Sequence, residues 1–459
     1  MKLSFLPAKG LLLALFVVVP LQASDNYELV NRQAIDRVWS GNYVGFDFLT
    51  RGSHQYIAYY DANRQLTVMY RGGERDPFRH YKVDSWYAWD SHNYITMELD
   101  ADGHLHLLGN MHADRLEYFR TRHAHDIRSL ERIRVMENEK LESAFTYPRF
   151  LKRDNGELIL KYRSGGSGDG SEIYLVYDPQ EKAWSRMHEG SLIDGQGLMN
   201  AYVEGPLLGP DGRFHMAWIW RDTPDASTNH DISYARSDDL INWEDSSGKP
   251  ISLPITYDKS DVVDPVPSGG GAINGNNKLG FDSKDRPVIA FHKYDENGNT
   301  QVYISRREAT AWITRKVTDW KGFRWSFGGT GSLSSFDVRI RKPEQLANGK
   351  IKIPVKKLDQ WYDLLLDEDS LELIETQAGY AYPPLISEVA SSDAVLLNGQ
   401  DSYGPDLILK TLSSQAFEDA EDEVFYLSWE SQAPFRGQAR DHILPPSILY
   451  LHHLKKKTD

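Results

Sequence analysis

Four segments of the sequence carry pairs of polar side chains at nearly equal distances from a tight turn. In antiparallel strands joined by such a turn, residues equally far from the turn lie side by side. The pairs are, in chain order, His92 with His112, Tyr147 with Arg163, Tyr202 with Arg221, and Asn277 with His292. Because all four stand at the strand ends away from the turns, the spacing predicts that they meet at one rim of the fold.

Imidazole, phenol and guanidinium groups without an obvious Asp/Glu pair suit β-elimination at a uronic acid. The C5 proton of a uronate can be removed only when the adjacent carboxylate is neutralised, and arginine grips a carboxylate through a bidentate fork. A neutral histidine can accept that proton, and a tyrosine hydroxyl can protonate the departing O4. We therefore predict Arg163 as the neutraliser and assign the base and acid roles to His92 and Tyr147, in an order that the sequence leaves open.

Other polar residues are predicted to orient these groups or to bind substrate: Asn93, His112, Tyr202, Arg221, His230 and His292. Each has a structural alternative, since a lone histidine at a strand end is usually a loop residue, Tyr202 could pack, and Arg221 could pair with a nearby aspartate. Convergence at one rim favours function, because rigid scaffolds carry binding groups on the ends of strands and on loops. The glycine-rich segment from Tyr162 to Ser171 opens no helix, which favours a mobile loop beside the cleft over a phosphate loop.

Repeated hairpins indicate the scaffold. Turn residues at Gly103, Gly156, Gly212, Asp285 and Gly349 separate strand-like runs, and a further strand follows each of the first four hairpins. Two late segments, "VFYLSWES" and "SILYLHHL", are expected to form a closing hairpin. At roughly 60 residues per unit, the sequence predicts an all-β fold, a single seven-bladed β-propeller with four-stranded blades over residues 24–459.

Composition narrows the function classes. Residues 1–23 have the basic, apolar and small-residue order of a cleaved signal peptide, which predicts a secreted or periplasmic protein without a membrane anchor. Cysteine is absent, so disulfides and thiolate metal sites are excluded. A formal net charge of -14 argues against nucleic-acid binding but permits an anionic ligand at a local group of arginines. We expect a monomer.

Several motifs together resemble a known family. "DSHNYITMELDADGHLHLLGNMH", "TYPRF", "KYRSGGSGDG", "LIDGQGLMNAY" and "WIWRDTPDASTNHDISYARSDDLINW" are similar to BNR-type propeller proteins that include secreted bacterial ulvan lyases of polysaccharide lyase family 25. The resemblance, over roughly residues 80–300, implies a seven-bladed propeller and elimination at a uronate linked to sulfated rhamnose in an anionic polysaccharide. By matching residues, it implies a catalytic histidine at His92, a second at His112, tyrosines at Tyr147 and Tyr202, and the neutralising arginine at Arg163.

The expected chemistry needs no cofactor, although related propellers can hold a structural metal to which His215 and His230 could contribute; no metal site is assigned. Two alternatives remain open. A sialidase-like glycoside hydrolase would use a tyrosine nucleophile backed by a glutamate, for which Glu204 near Tyr202 is the candidate. A non-catalytic sugar-binding propeller would need neither role.

Overall fold

The computed structural model describes residues 27–153, 155–333, 335–379, 407–414 and 422–457. In these residues the backbone forms seven antiparallel sheets and four 3-10 helices, Ile127–Ser129, Leu141–Ala144, Ala226–Thr228 and Tyr257–Lys259. This confirms the all-β prediction. The expected leader at residues 1–23 lies outside the described residues. None of the described helices has the length and apolar character needed to cross a membrane.

One sheet joins the two ends of the chain. Strand β1 (Tyr27–Val38) pairs with β31 (Ser447–Lys456), which pairs with β30 (Glu423–Gln432), and β30 pairs with β29 (Leu407–Ser414). The pairing of β30 with β31 confirms that these two late segments form a hairpin. The ends of the chain therefore stabilise each other through backbone hydrogen bonds.

Each of the other six sheets uses strands that are neighbours in sequence. The second sheet contains β2 (Asp47–Arg51), β3 (His54–Tyr60), β4 (Gln65–Arg71) and β5 (Arg79–Trp86). The third contains β6 (Thr96–Leu99), β7 (Leu105–Leu108), β8 (Tyr118–Thr121) and β9 (Leu130–Ile133). The fourth contains β10 (Phe145–Lys152), β11 (Leu158–Gly166), β12 (Asp169–Asp178), β13 (Ala183–Arg186) and β14 (Ile193–Asp194). The fifth contains β15 (Asn200–Leu208), β16 (Phe214–Arg221), β17 (Asn229–Ser237), β18 (Trp243–Glu244) and β19 (Asp261–Asp264).

The last two sheets follow the same plan. The sixth contains β20 (Lys278–Phe281), β21 (Pro287–Tyr294), β22 (Thr300–Arg307) and β23 (Trp312–Lys316). The seventh contains β24 (Val338–Ile340), β25 (Glu344–Leu346), β26 (Lys350–Lys357), β27 (Gln360–Asp367) and β28 (Leu373–Ala378). Contacts join β29 to β2, β2 to β6, β6 to β10, β12 to β15, β15 to β20 and β20 to β25, so consecutive sheets are packed neighbours.

The five predicted turn residues explain where the hairpins reverse. Gly103, Gly156, Gly212, Asp285 and Gly349 all have φ between 60° and 84°. Glycine adopts this left-handed backbone without steric cost, and aspartate tolerates it better than most residues. The hairpins predicted around these positions are confirmed.

Burial follows the position of a strand within its sheet. Every residue of β16 after Phe214 is buried, including Trp218 and Trp220, whereas every residue of β28 is exposed. Central strands carry apolar residues on both faces because a neighbouring sheet covers each face, as in stacked sheets generally. The rigid central strands therefore fix the positions of the loops at their ends.

We predict that Leu449→Ala, at a fully buried position of β31, lowers the free energy of unfolding by about 2–5 kcal/mol, because the truncation leaves a cavity in the core. Val30→Ala, at a position of β1 that is 52% exposed, is the control and should change stability by about 0.5 kcal/mol or less. Urea denaturation measures both. Equal effects at the two positions would contradict the burial described for β31.

Candidate active site

Five of the nine candidate residues line one cleft. His92, His112, Tyr147, Tyr202 and Arg221 face it together with Ser167, Asn274, Ser332 and Phe336. His92 precedes β6, His112 follows β7, and the other three candidates belong to β10, β15 and β16. Three sheets therefore bring an imidazole pair, two phenols and a guanidinium to the same cleft. Among the described residues, no carboxylate lines it.

Asp90 holds the two histidines by the same ring atom. Its two carboxylate oxygens lie 2.6 Å from Nδ1 of His92 and 2.7 Å from Nδ1 of His112, and the ring centroids are 4.1 Å apart. Burial opposes ionisation of Asp90, but the hydrogen bonds from His112 and His92 outweigh it and hold the pKa of this carboxyl well below its usual range. Burial lowers the pKa of His92, while Asp90 opposes that shift. With Nδ1–H donated to Asp90, Nε2 of neutral His92 is left as the acceptor.

The same three residues are close enough to be compared with a metal site. Zinc–ligand bonds of about 2.0–2.2 Å in tetrahedral geometry separate two ligand atoms by about 3.3 Å. The Asp90–imidazole distances of 2.6 Å and 2.7 Å are those of charge-assisted hydrogen bonds instead. The arrangement fits a carboxylate that orients two imidazoles through their Nδ1 atoms.

His215 and His230, the other residues considered for a metal, are also committed elsewhere. Nδ1 of His215 lies 2.6 Å from the Tyr234 hydroxyl and its Nε2 lies 2.9 Å from Asp211. The two ring nitrogens of His230 lie 3.0 Å from Asp222 and 3.0 Å from Asp231. Within the described part of the chain, neither histidine joins a group of three potential ligands.

A local irregularity in strand β10 sets the direction of the Tyr147 side chain. Register between β10 and β11 shifts between Thr146 and Arg149, and Tyr147 has a φ of 56°. A bulge of this kind redirects a side chain, and positive φ in a tyrosine is rare enough to suggest a functional constraint. The Tyr147 ring lies 5.7 Å from His92 and 6.2 Å from Tyr202 between centroids. Burial raises its pKa, so the phenol is protonated at neutral pH.

Arg163 does not line the cleft; it lies beneath the tyrosines. Its Cζ is 4.8 Å from the centroid of Tyr147 and 5.8 Å from that of Tyr202. The residue is 1% exposed, and its three guanidinium nitrogens have no hydrogen-bond partner among the described residues. Gly170 leaves space for it, since a Cβ there would lie 2.8 Å from the Arg163 Cδ. The predicted role of Arg163 as direct neutraliser stays a prediction.

Arg221 instead presents its guanidinium to the cleft. It donates to the Tyr202 hydroxyl at 2.9 Å, to Ser167 at 3.2 Å and to Asn274 at 2.5 Å. The structural alternative, an ion pair with a neighbouring aspartate, is not formed among the described residues. The predicted pairing of Tyr202 with Arg221 differs from the observed register by two residues. A register shift between Glu204 and Leu207 sets Tyr202 opposite Ile219, and Arg221 lies opposite Asn200.

Three other candidates do not reach the cleft. Asn93 is buried, donates to Asn110 at 3.1 Å and accepts from Tyr60 through its backbone oxygen at 2.8 Å. His230 is held by the two aspartates named above. His292 packs against Trp325, with ring centroids 5.3 Å apart, and burial lowers its pKa to about 3. The predicted pairing of Asn277 with His292 is not formed, because β20 aligns Lys278 with Ala290, one residue away from the predicted register.

Sequence reasoning missed four residues of the site. Asp90 could have been found, because it stands two residues before His92 at the same strand end. Ser167 belongs to the glycine-rich segment that was predicted to be a mobile loop. That prediction is wrong for most of the segment, which forms the ends of β11 and β12, and Ser167 lies in the two-residue turn between them and lines the cleft. Asn274 and Ser332 come from long irregular connections, where no period or turn motif predicts which side chain faces inward.

Comparison with known proteins gives a family. Residues 54–320 match the model of the BNR repeat-containing family. The short isoform of ulvan lyase from Alteromonas sp. (strain LOR) is 27% identical over 157 residues, which are 31% of this chain and 29% of that relative. An ulvan lyase from the same organism is 20% identical over 341 residues, covering 64% of this chain and 68% of the relative. The chain thus matches less than a third of the short isoform's length.

Two solved structures share the fold. Polysaccharide lyase Uly1 has a TM-score of 0.60 at 13% identity, covering 93% of this chain and 99% of its own. A PL25 ulvan lyase bound to -[GlcA(1-4)Rha3S]- has a TM-score of 0.56 at 14% identity, covering 88% and 95%. At 13% and 14% sequence identity these two structures show a shared all-β fold. The chemistry of this chain is inferred from the residues of its own cleft.

We predict that the pKa of His92 lies below 6.5, its ordinary value, because burial disfavours the imidazolium. Asp90→Asn should lower this pKa further, since the carboxylate that favours the charged form is removed. Titration of the histidine Cε1–H resonances by NMR measures both, with His92→Gln identifying the signal. A pKa of His92 above 6.5, or a rise in Asp90→Asn, would contradict the hydrogen-bond arrangement.

Proposed function

The chain belongs to the BNR repeat-containing family, and within it we propose a polysaccharide lyase that cleaves a sulfated, uronic-acid-containing polysaccharide of the ulvan type. The reaction is β-elimination at the uronate, which gives oligosaccharides with an unsaturated uronyl end. The observation that carries the proposal is the meeting of His92, Tyr147 and Arg221 at a cleft whose described lining contains no carboxylate. The names of the relatives and the sugar bound in the PL25 structure support the same substrate class.

His92 is the proposed base and Tyr147 the proposed acid. Asp90 fixes Nδ1 of His92 as the protonated nitrogen, so Nε2 carries the lone pair that accepts the C5 proton. The raised pKa of Tyr147 keeps its hydroxyl protonated for donation to the leaving O4. His112 shares the Asp90 carboxylate and fixes its orientation. Because the base must be neutral, activity should fall only as pH decreases below the ordinary range of histidine.

The two arginines are proposed to act differently. Arg221 faces the cleft and can pair with the uronate carboxylate, which makes the C5 proton acidic enough for removal. Arg163 lies against the Tyr147 ring and acts through its positive charge. This charge opposes the rise in the Tyr147 pKa and favours the phenolate that forms when the proton leaves. Arg163 therefore remains one of the proposed catalytic residues, while contact with the uronate carboxylate is assigned to Arg221.

Neither alternative function is supported by a specific contact. Glu204, the candidate partner for a nucleophilic tyrosine, lies 2.8 Å from Lys278 in an ion pair, and it does not line the cleft. Glycoside hydrolysis generally needs two carboxyl groups at the bond. Asp90 is engaged by the imidazoles of His92 and His112. A purely sugar-binding protein does not require a proton acceptor, whereas the hydrogen bond to Asp90 leaves Nε2 of His92 as one.

We also propose that the seven sheets are the blades of one closed propeller over residues 24–459. The contacts between consecutive sheets, the pairing of β1 with β31 and the likeness to Uly1 support this arrangement. Export by cleavage of residues 1–23, and action as a monomer on polysaccharide outside the cytoplasm, belong to the same proposal. The order of basic, apolar and small residues in that segment supports export.

On ulvan, the purified protein should raise ultraviolet absorbance, because elimination conjugates a new double bond with the uronate carboxyl. His92→Ala and Tyr147→Phe should each reduce kcat by about 10²–10⁴-fold, the usual contribution of a general acid or base. His80→Ala and Tyr81→Phe on β5 are the matched controls and should retain wild-type turnover. Reducing ends released without absorbance would indicate hydrolysis, and binding with no product would indicate a lectin; either would overturn the lyase proposal.

Arg221→Ala should reduce kcat/KM on ulvan by about 10²–10³-fold, since a preorganised charge at a developing anion contributes on this scale. Arg221→Lys should recover part of the loss, because it restores the charge without the planar set of N–H donors. Arg315→Ala, at an exposed position of β23, is the control. Near-normal turnover in Arg221→Ala, with loss in Arg163→Lys, would return the neutralising role to Arg163.

A further inference from the structure

A second depression opens from the candidate active site. It has a volume of about 760 Å³ and shares His92, Ser332, Leu333 and Phe336 with the cleft. We call it the basic groove and define it by Tyr43, Lys278, Arg339, Arg341, Lys356 and Trp361. The shared residues make the groove a continuation of the cleft, so a polymer held at His92 can extend into it.

The basic groove concentrates positive charge on an acidic protein. Four cationic side chains line it, and no described lining residue is a carboxylate, although the chain has a formal net charge of -14. Lys278 is neutralised by Glu204 at 2.8 Å. Lys356 lies 3.8 Å from Asp359, which is fully exposed and therefore a weak partner. Arg339 forms no ion pair within the described part of the chain.

Two like charges in the groove face each other directly. The pairing of β24 with β26 sets Arg339 opposite Lys356. Like charges at opposed positions of antiparallel strands are destabilising. Such an arrangement is suited to an anion that supplies the missing negative charge.

Aromatic rings hold the arginines in place. The Cζ of Arg339 is 3.6 Å from the centroid of Phe336, and that of Arg341 is 4.5 Å from the centroid of Trp361. Stacking of Arg339 on Phe336 restricts its guanidinium without neutralising the positive charge, which can then attract a sulfate. Trp361 and Tyr43 add ring surfaces against which sugar rings can pack.

We propose that the basic groove binds a sulfate ester of a sugar unit next to the cleavage point, through Arg339 and Lys356. The inference rests on the proposed function, in which the uronate carboxylate occupies the cleft at Arg221. In a polymer where uronate alternates with a sulfated sugar, the neighbouring unit enters the groove at His92 and Ser332. Arg339 and Lys356 are thus specificity-determining residues that do not touch the reacting atoms.

The kinetic test uses the double variant Arg339→Gln/Lys356→Gln. On ulvan we expect KM to rise at least tenfold with kcat within twofold of wild type, and on chemically desulfated ulvan we expect no change in KM. The control is Lys350→Gln/Lys316→Gln, which removes the same charge from β26 and β23 outside the groove. An unchanged KM on ulvan, or an equal rise on the desulfated polymer, would overturn the proposal.

A binding test separates this inference from the lyase proposal. Affinity electrophoresis with dextran sulfate, which has sulfate but no uronate, should retard the wild type and the control variant but not the groove variant. Polyglucuronate, which has carboxylate but no sulfate, should show no such difference. Equal retardation of all proteins by dextran sulfate, or a difference confined to polyglucuronate, would refute sulfate recognition even if elimination is never observed. The groove variant should keep or raise its melting temperature, because it relieves the repulsion between opposed cations.

Discussion

The chemistry of the cleft depends on one carboxylate that binds two imidazoles. Asp90 engages Nδ1 of His92 and of His112, which sets the tautomer of each ring and keeps them 4.1 Å apart despite their mutual repulsion when charged. Without this anchor, His92 would have neither a defined acceptor nitrogen nor a defined direction. The hydrogen bonds also keep Asp90 ionised in a partly buried position, so orientation and charge are set together.

The other groups of the site are positioned by departures from regular strand pairing. Tyr147 reaches the cleft from a bulge with positive φ, and Arg221 reaches the Tyr202 hydroxyl although the two residues are not cross-strand partners. Regular sheets supply rigidity, while the irregular positions aim the side chains. The cost of these positions is offset by the packing of central strands between neighbouring sheets.

Much of the scaffold could be predicted from sequence because its turns have a strict backbone requirement. Gly103 and Gly212 need positive φ, and the flanking strands have the residues that such hairpins favour. The pairing of His92 with His112 followed from the same count. The count failed for Tyr202 with Arg221 and for His292, since a shift of one or two residues is invisible in the sequence yet changes which side chains meet. The placement of Arg163 against the rings of Tyr147 and Tyr202 depends on packing that no local pattern encodes.

The proposed mechanism requires a uronate bound between His92, Tyr147 and Arg221. It is tested most directly by a crystal structure of Tyr147→Phe bound to a uronate-containing oligosaccharide. We expect the uronate carboxylate within about 3 Å of the Arg221 guanidinium, with C5 facing Nε2 of His92. An oligosaccharide bound outside this cleft, or a carboxylate turned away from Arg221 with C5 remote from His92, would contradict it.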